Sequence, residues 1–463
     1  MHAADATAGA ESATETLARF VSGLRHEALP PAVVSRLREC FLDFVGISAF
    51  AAVHAETSAA FRAAVQTLAS AGSATVIGEA RGYPPVHAAL LNGAFAHTLD
   101  FDDTNLFGSL HPGAPVIPAA MAVAEETDAS GRDFVTALAA GYEIVCRVGA
   151  ALGPTAYDRG FHITAVAGIF GAVAAAAKLR DASAEVTMNA FGLAGSQAAG
   201  SMQYLANGSS NKRLHPGLAA HDALTSLAFA QAGVTGAIAP LEGRYGLLNG
   251  YSNAPQPQLL PQDLGTRWTL VETAIKPYPS CRFTHSGIEA TLALRDRVAP
   301  QARDTATLRV RLSPKAVQIV GERQANKLRP QNIVDGQFSM YFQAAAAWAT
   351  GSCDWQTYEQ LHSPQLQDLA ARIQVEADPA IPFAGAEVIV QCAGETLVQR
   401  LDEPLGEPRR PLAWEQLQGK FLSMGGPVFG VAAAKEIAAA ISRLQDEHSM
   451  ARLIRRLRTG RAS

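Results

Sequence analysis

From residue 14 to 265 apolar side chains recur three and four positions apart, in segment after segment. The short connections between them carry Gly, Pro, Asn or Asp. This spacing predicts helices over 15–25, 31–51, 58–69, 86–104, 118–126, 131–152, 164–178, 184–205, 218–233 and 242–250. No fixed period recurs, so a solenoid is not expected. Near Arg267 the pattern changes to alternating or β-branched runs. WTLVETAIK, TATLRVRLS (305–313), RIQVEAD (372–378), AEVIVQC (386–392) and ETLVQRL (395–401) read as strands, with helical patterns at 284–297, 338–350 and 364–371 between them. After the loop EPLGEPRRP, helices return at 414–423, 428–444 and 449–457. The expected fold is mainly α. A large all-helical domain is built from 14–266 and 405–463, a smaller α+β lid domain spans 267–404, and 1–13 form a disordered end. A cleft between two such domains is a preferred place for a small-molecule site.

One stretch interrupts the apolar rhythm. LNGAFAHTLDFDDTNLFGSLHPGAPVIP (91–118) sets two histidines and three carboxylates between apolar segments. With the helix unbroken to residue 104, His97, Asp100 and Thr104 fall at i, i+3 and i+7, on one face. A buried carboxylate is costly unless it is paired or hydrogen-bonded, so such a cluster either braces the fold or does chemistry.

Composition narrows the classes. A length of 463 residues fits two or three domains. With 48% hydrophobic and 17% charged residues and a net charge of −4, the chain reads as compact and globular, and nucleic acid is not an expected partner. The cysteines Cys40, Cys146, Cys281, Cys353 and Cys392 are scattered without a CxxC, which suits a reducing, cytoplasmic compartment. The longest apolar run, 163–177, is mostly Ala and Gly and stops at Lys178, too short to span a bilayer. No membrane association is expected. The small, polar and acidic residues 1–13 do not read as a signal peptide.

Three further polar features stand out. In DRGFHITAVAGIFG, His162 precedes an apolar helix, whose dipole would favour a neutral imidazole competent as a base. A helix cap or a satisfied core histidine is the alternative. In NGSSNKRLHPGLAAHD, Lys212, Arg213 and His215 stand directly before Pro216, a good first-turn residue. That arrangement makes either an anion site at a helix N-terminus or an exposed basic loop. In IKPYPSCRFTHSGIEA, two prolines force an extended approach to a helix starting near Thr284. Cys281 and Arg282 sit at its head, with Lys276 nearby, where a thiol pKa can be lowered and an anion bound. A buried, inert thiol is the common fate of a lone cysteine, and His285 is open to either site or core. Phe107, Tyr204, Tyr278 and Met340 are candidates for pocket lining or for core.

NGAFAHTLDFDDT, HPGAPVIPAA, GYEIVCRVG, GFHITAVAGIFGA, NKRLHPGLAAHD and KPYPSCRFTH, in this order, resemble the MmgE/PrpD family from about residue 14 to 455. That family includes 2-methylcitrate dehydratase, cis-aconitate decarboxylase and iminodisuccinate epimerase. The resemblance implies a homodimer, catalysis without metal or organic cofactor, and a small polycarboxylate substrate. Its motifs place the site on Asp100 and Thr104 of DFDDT, His111 of HPG, His162, Lys212 and Lys276. The sequence departs from the pattern in three places. The spacer from Thr104 to His111 is one residue longer than in the animal decarboxylase, HPG replaces HPS, and Cys281 stands where the decarboxylase and dehydratase have histidine.

The expected activity is a lyase, a dehydratase or decarboxylase. His162 or His111 would remove a proton, and the other, or Cys281, would supply one. Lys212, Lys276 and Arg282, with Arg213 and His215 nearby, would hold carboxylates, and Asp100 would orient a histidine or Lys212. The thiol of Cys281 keeps a two-base epimerase open as the alternative. A metal-dependent lyase using His97, Asp100, Asp102, Asp103 and His111 lacks an HxxxH or HExxH spacing, and a non-catalytic carboxylate-binding protein is the remaining reading.

Overall fold

The computed structural model describes residues 12–459. It is a two-domain, mainly α protein: a large helical domain drawing on both ends of the chain, and a smaller α+β domain between them. One continuous apolar core runs from Leu17 to Ile275 and takes in Leu417 to Leu457, and a second lies between Cys281 and Val390. Residues 1–11 of the expected disordered end lie outside the described residues. The other two are ordered, since Ser12 caps the helix Ala13–Gly23 through the amide of Glu15.

The helix Gly131–Leu152 sits at the centre, opened by a capping box between Ser130 and Asp133. It is long and apolar enough to cross a membrane, yet it is wholly buried within the fold. Its one buried ion pair, Arg147 Nε to Glu143 Oε1 at 2.8 Å, holds the connection after residue 258 against the core. Arg147 donates to the carbonyls of Leu260 and Arg267, and Glu143 accepts from the amides of Thr269 and Leu270. This explains why WTLVETAIK is not a strand. A buried carboxylate uses its backbone donors, leaving a 3-10 turn, Thr269–Glu272, and a two-residue strand, Thr273–Ala274.

Other boundaries moved for reasons that periodicity does not carry. The segment predicted over 86–104 forms Pro85–Thr98 only, because Asp100 turns left-handed at φ 51° and the chain leaves the helix. The His97, Asp100, Thr104 face therefore does not exist. The helix predicted from 218 begins at Asn211, so Lys212, Arg213 and His215 lie in its first turns. Pro216 costs it only the bond to the Lys212 carbonyl. This helix crosses Pro85–Thr98 closely: a Cβ on Gly217 would fall 2.2 Å from the Leu90 carbonyl oxygen. Elsewhere 184–205 ends at Gly195, 242–250 shrinks to Leu247–Tyr251, and 164–178 divides into Ile163–Val166 and Gly168–Leu179.

The smaller domain carries a four-stranded sheet. Thr307–Leu312 pairs parallel with Gln374–Ala377 and antiparallel with Ala386–Cys392, which pairs antiparallel with Glu395–Leu401. The strict alternation of buried Leu308, Val310 and Leu312 with Thr307, Arg309 and Arg311 gives one apolar face. Helices His285–Arg295 and Met340–Thr350 contribute Ile288, Leu294, Met340 and Trp348 to the same core. The opposite face is laced by Arg311–Glu387 at 3.0 Å and Arg309–Glu376 at 3.4 Å.

Candidate active site

The cleft between the domains holds a cavity of about 410 Å³. Its polar end is built on the turn after Pro85–Thr98. Holding Asp100 in the left-handed region costs about 1–2 kcal/mol for a residue with a Cβ, and the surroundings enforce it. Lys276 Nζ donates to the Asp100 carbonyl at 2.8 Å and lies 3.3 Å from its Oδ1, while Lys212 Nζ reaches the same Oδ1 at 2.7 Å. All three side chains are largely buried. Burial pushes the Asp100 carboxyl up, but Lys212 and Lys276 together reverse this and hold it well below the carboxylate range. Burial likewise works to lower the Lys212 ammonium, and Asp100 raises it instead. Asp100 Oδ2 and Thr104 Oγ1 are buried without a protein partner, leaving two polar atoms for a ligand or water.

The scaffold beneath is equally specific. Thr104 and Asn105 pair antiparallel with Ala274 and Thr273, tying the Asp100 turn to the Lys276 segment. Lys420, from Trp414–Phe429, donates to the carbonyls of Phe101 and Lys276 at 3.1 and 2.9 Å and pairs with buried Asp43 at 2.6 Å. Gln337 bridges the domains, donating to the Leu99 carbonyl at 2.7 Å while its own carbonyl accepts from the Cys281 amide.

Two groups of imidazoles stand beside this triad. His97 and His111 face one carboxylate oxygen, Asp102 Oδ2, at 2.8 and 3.2 Å, with rings 78° apart. Burial pushes Asp102 up, and the two histidines more than reverse this and hold it well below its usual range. Burial lowers His97 to about 4, so its neutral ring donates from Nδ1 and keeps a buried, unpartnered Nε2. These three side chains could hold a metal ion, their donor atoms lying within 4.8 Å of one another. The 2.8 Å contact is also an ordinary length for a hydrogen bond from His97 to a carboxylate.

His162 Nδ1 lies 3.1 Å from His215 Nδ1, and the backbone amide of His162 donates to the Gly200 carbonyl. Burial first, then His97 and Lys212, hold His162 well below the usual histidine range. Burial, not the helix dipole expected from the sequence, thus keeps it neutral, since the following helix, Ile163–Val166, is a single turn. His215 is lowered to about 4 by burial, His97 and Lys212. One ring of the pair must donate and the other accept, so the tautomer of His215 decides whether His162 Nε2 offers a lone pair or a proton.

The cavity wall brings together Asp100, Thr104, His111, His162, Lys212, Lys276, Cys281 and Arg282. Two expected binders lie elsewhere. Arg213 points to Glu56 at 3.3 Å, because its place in the first turn aims it away from Lys212, and His215 stands behind His162 rather than on the wall. Arg282 reaches the cavity but is engaged by Glu407 through both Nε and Nη2. Cys281 is no activated thiol: burial, then Asp100, push it up to about 11. His285 faces the core, donating to the Ser280 carbonyl, and so does Met340, whereas Tyr204 lines the cavity. Sequence reasoning missed Tyr157, Phe283 and Phe383 on the wall, and the anchors Asp43, Gln337 and Lys420. Apart from Phe283, which lies within the CRFTH segment, none of these stands in a motif with chemical spacing.

HPG has a local reason. The Gly113 amide donates to Asp103 Oδ1 at 2.9 Å, and a Cβ there would lie 2.5 Å from Tyr142 Oη, itself bonded to Asp103.

The fold and the cleft describe a class: a two-domain, mainly α protein whose interdomain cavity sets lysine ammoniums beside neutral imidazoles. The chain belongs to the MmgE/PrpD family, with residues 15–260 matching the MmgE/PrpD N-terminal domain and residues 278–446 the C-terminal domain. It is similar to cis-aconitate decarboxylase from Homo sapiens, with 27% identity over 94% of this chain and 92% of the relative. It is similar to cis-aconitate decarboxylase from Aspergillus terreus, with 26% identity over 94% of each. A cis-aconitate decarboxylase-like protein from Aspergillus oryzae is 27% identical over 95% of this chain and 96% of the relative. These relatives support a lyase of the MmgE/PrpD family.

Proposed function

We propose that the protein is a cofactor-independent lyase that decarboxylates or dehydrates a small di- or tricarboxylate such as cis-aconitate or 2-methylcitrate. The observation that carries this reading is the buried Asp100, ion-paired to both Lys212 and Lys276, in one cavity with neutral His162. Two ammoniums against one carboxylate leave a positive charge for a substrate carboxylate. That charge also stabilises the negative charge that builds as CO2 leaves or as a proton is taken from carbon.

In decarboxylation, the electron pair of the broken carbon–carbon bond stays on the substrate and is quenched by a proton. In dehydration, one proton leaves carbon and one goes to the departing hydroxyl. His162, through Nε2, and His111, braced by Asp102, are the groups for these transfers, with Thr104 Oγ1 and Asp100 Oδ2 as polar contacts for the substrate. Lys276 and Lys212 hold a carboxylate, and Arg282, tied to Glu407, contributes less. The enzyme works without a metal, so full turnover in excess chelator is expected. It acts as a cytoplasmic homodimer. All five cysteines are free, as a reducing compartment maintains them. The exposed Phe229, Val234, Ile238 and Tyr245 offer apolar surface for a second copy.

Because Cys281 shares the cavity with His162, epimerisation of an iminodisuccinate-like dicarboxylate is the second reading. Its weakness is a thiol at about 11, which supplies little thiolate as a second base. Proton NMR in deuterated water with cis-aconitate, 2-methylcitrate, citrate and chiral iminodisuccinate separates the two. A new alkene or loss of CO2 is expected. Deuterium wash-in at an α-carbon with inversion and no alkene would replace the lyase by the epimerase.

A further inference from the structure

The cavity changes character from its floor to its mouth. At the floor Asp100, Lys276 and His162 are almost fully buried. At the mouth stand Leu106, Leu205 and Phe383, exposed by 44, 51 and 50%, three of the large apolar side chains that the fold leaves uncovered. Ile163 and Phe283 also line the cavity, the latter edge-on to Phe383 with ring centroids 5.0 Å apart. Exposed apolar groups grouped on one rim, continuous with a binding cavity, mark a surface that an apolar part of a ligand covers.

Charge points the same way. Arg282 is neutralised by Glu407, and the outer Lys315 lies 3.9 Å from Asp158. The free positive charge is confined to the floor, where Lys212 and Lys276 share Asp100. The cavity of about 410 Å³ falls within the usual range of small-molecule sites, about 300–1,000 Å³.

We propose that the substrate carries an apolar substituent of several carbons, its carboxylates at the Lys212–Lys276 floor and its chain running past Phe283 to the rim of Leu106, Leu205 and Phe383. The class is an alkyl- or alkenyl-substituted di- or tricarboxylate. This rests on the reading of the floor as a polycarboxylate site and extends it to the mouth.

The test uses non-reactive probes: succinate and methyl-, butyl- and hexylsuccinate, titrated calorimetrically into the full chain. Burying a methylene is worth about 0.8 kcal/mol, or roughly fourfold in affinity per carbon. A rise of at least tenfold from methyl- to hexylsuccinate is expected, and Leu106→Asp with Phe383→Asp should flatten that slope. A slope below twofold, an unaltered slope in the double variant, or no binding of any member at millimolar concentration overturns the proposal. Turnover of unsubstituted cis-aconitate without a chain-length slope defeats this inference alone. A slope without turnover of any carboxylate defeats the lyase reading and keeps the apolar mouth.

Discussion

The two walls of the cleft differ in kind. On the helical wall Asp100, Thr104, His111, His162 and Lys212 come from four separate segments; Asp100, Lys212 and His162 are held side chain to side chain at 2.7–3.1 Å, and His111 lies 3.2 Å from Asp102. The smaller domain presents Cys281 as a thiol pushed up to about 11, Arg282 already bound to Glu407, and the rings of Phe283 and Phe383. Lys276, at the junction, is its one contribution to the charged cluster. One wall is preorganised for charge and protons, and the other shapes what enters. Preorganised polar groups act at low reorganisation cost, so substitutions on the two walls should separate chemistry from binding.

The largest effect is expected from His162→Ala: a fall in kcat of about 10²–10⁴, the usual share of a positioned acid or base, with unchanged circular dichroism. A variant with normal turnover would remove His162 from the mechanism. Next, Lys276→Met leaves Asp100 with one cation in a buried site. Losing the hydrogen bonds of this ammonium to Asp100 costs about 1.5–3 kcal/mol, to be read by urea unfolding together with a raised KM. A smaller loss, about tenfold in kcat, is expected for His215→Phe, which frees the His162 tautomer. Its signature is a changed pH profile rather than a changed KM. Smallest is Cys281→Ala, expected within about threefold of the parent in kcat.

Acidity offers an independent check. His97 and His215 sit at about 4 and His285 at about 3, with His162 also well below 6.5. Below 6.5 the unfolded chain takes up protons that the folded chain refuses, so their contribution is full above 6.5 and is lost progressively as pH falls toward 4. Asp103, pushed up to about 7 by burial, acts in the opposite direction, but four imidazoles outweigh it. Unfolding free energy should therefore drop between pH 7 and 4.5, and a rise over that window would contradict the neutral histidine cluster.

Much of the helical architecture was legible because it rests on periodicity, as in Gly131–Leu152, whose bounds coincide with the apolar pattern. The site's residue types were legible too, because carboxylates and imidazoles interrupt apolar stretches. What the sequence hid was conformation and long-range pairing. No pattern marks Asp100 as left-handed, and its lysine partners lie 112 and 176 residues away. The helix start at Asn211 was obscured by Pro216, and it turned Arg213 out of the site. For Cys281 local reasoning left an activated thiol and a buried, inert one both open, and the raised pKa that favours the second comes from packing and from Asp100 across the cleft. Lys420 and Asp43 lie within the helices predicted over 414–423 and 31–51, outside the polar clusters singled out above, yet one ammonium binds both site segments.

That the helical wall carries the chemistry is tested most directly by comparing His162→Ala and Cys281→Ala in the same single-turnover NMR experiment, on whichever carboxylate the parent enzyme converts. Loss of at least 100-fold in the first and less than about threefold in the second is expected. Equal losses, or a larger loss at Cys281, would contradict it and move the reacting proton to the smaller domain.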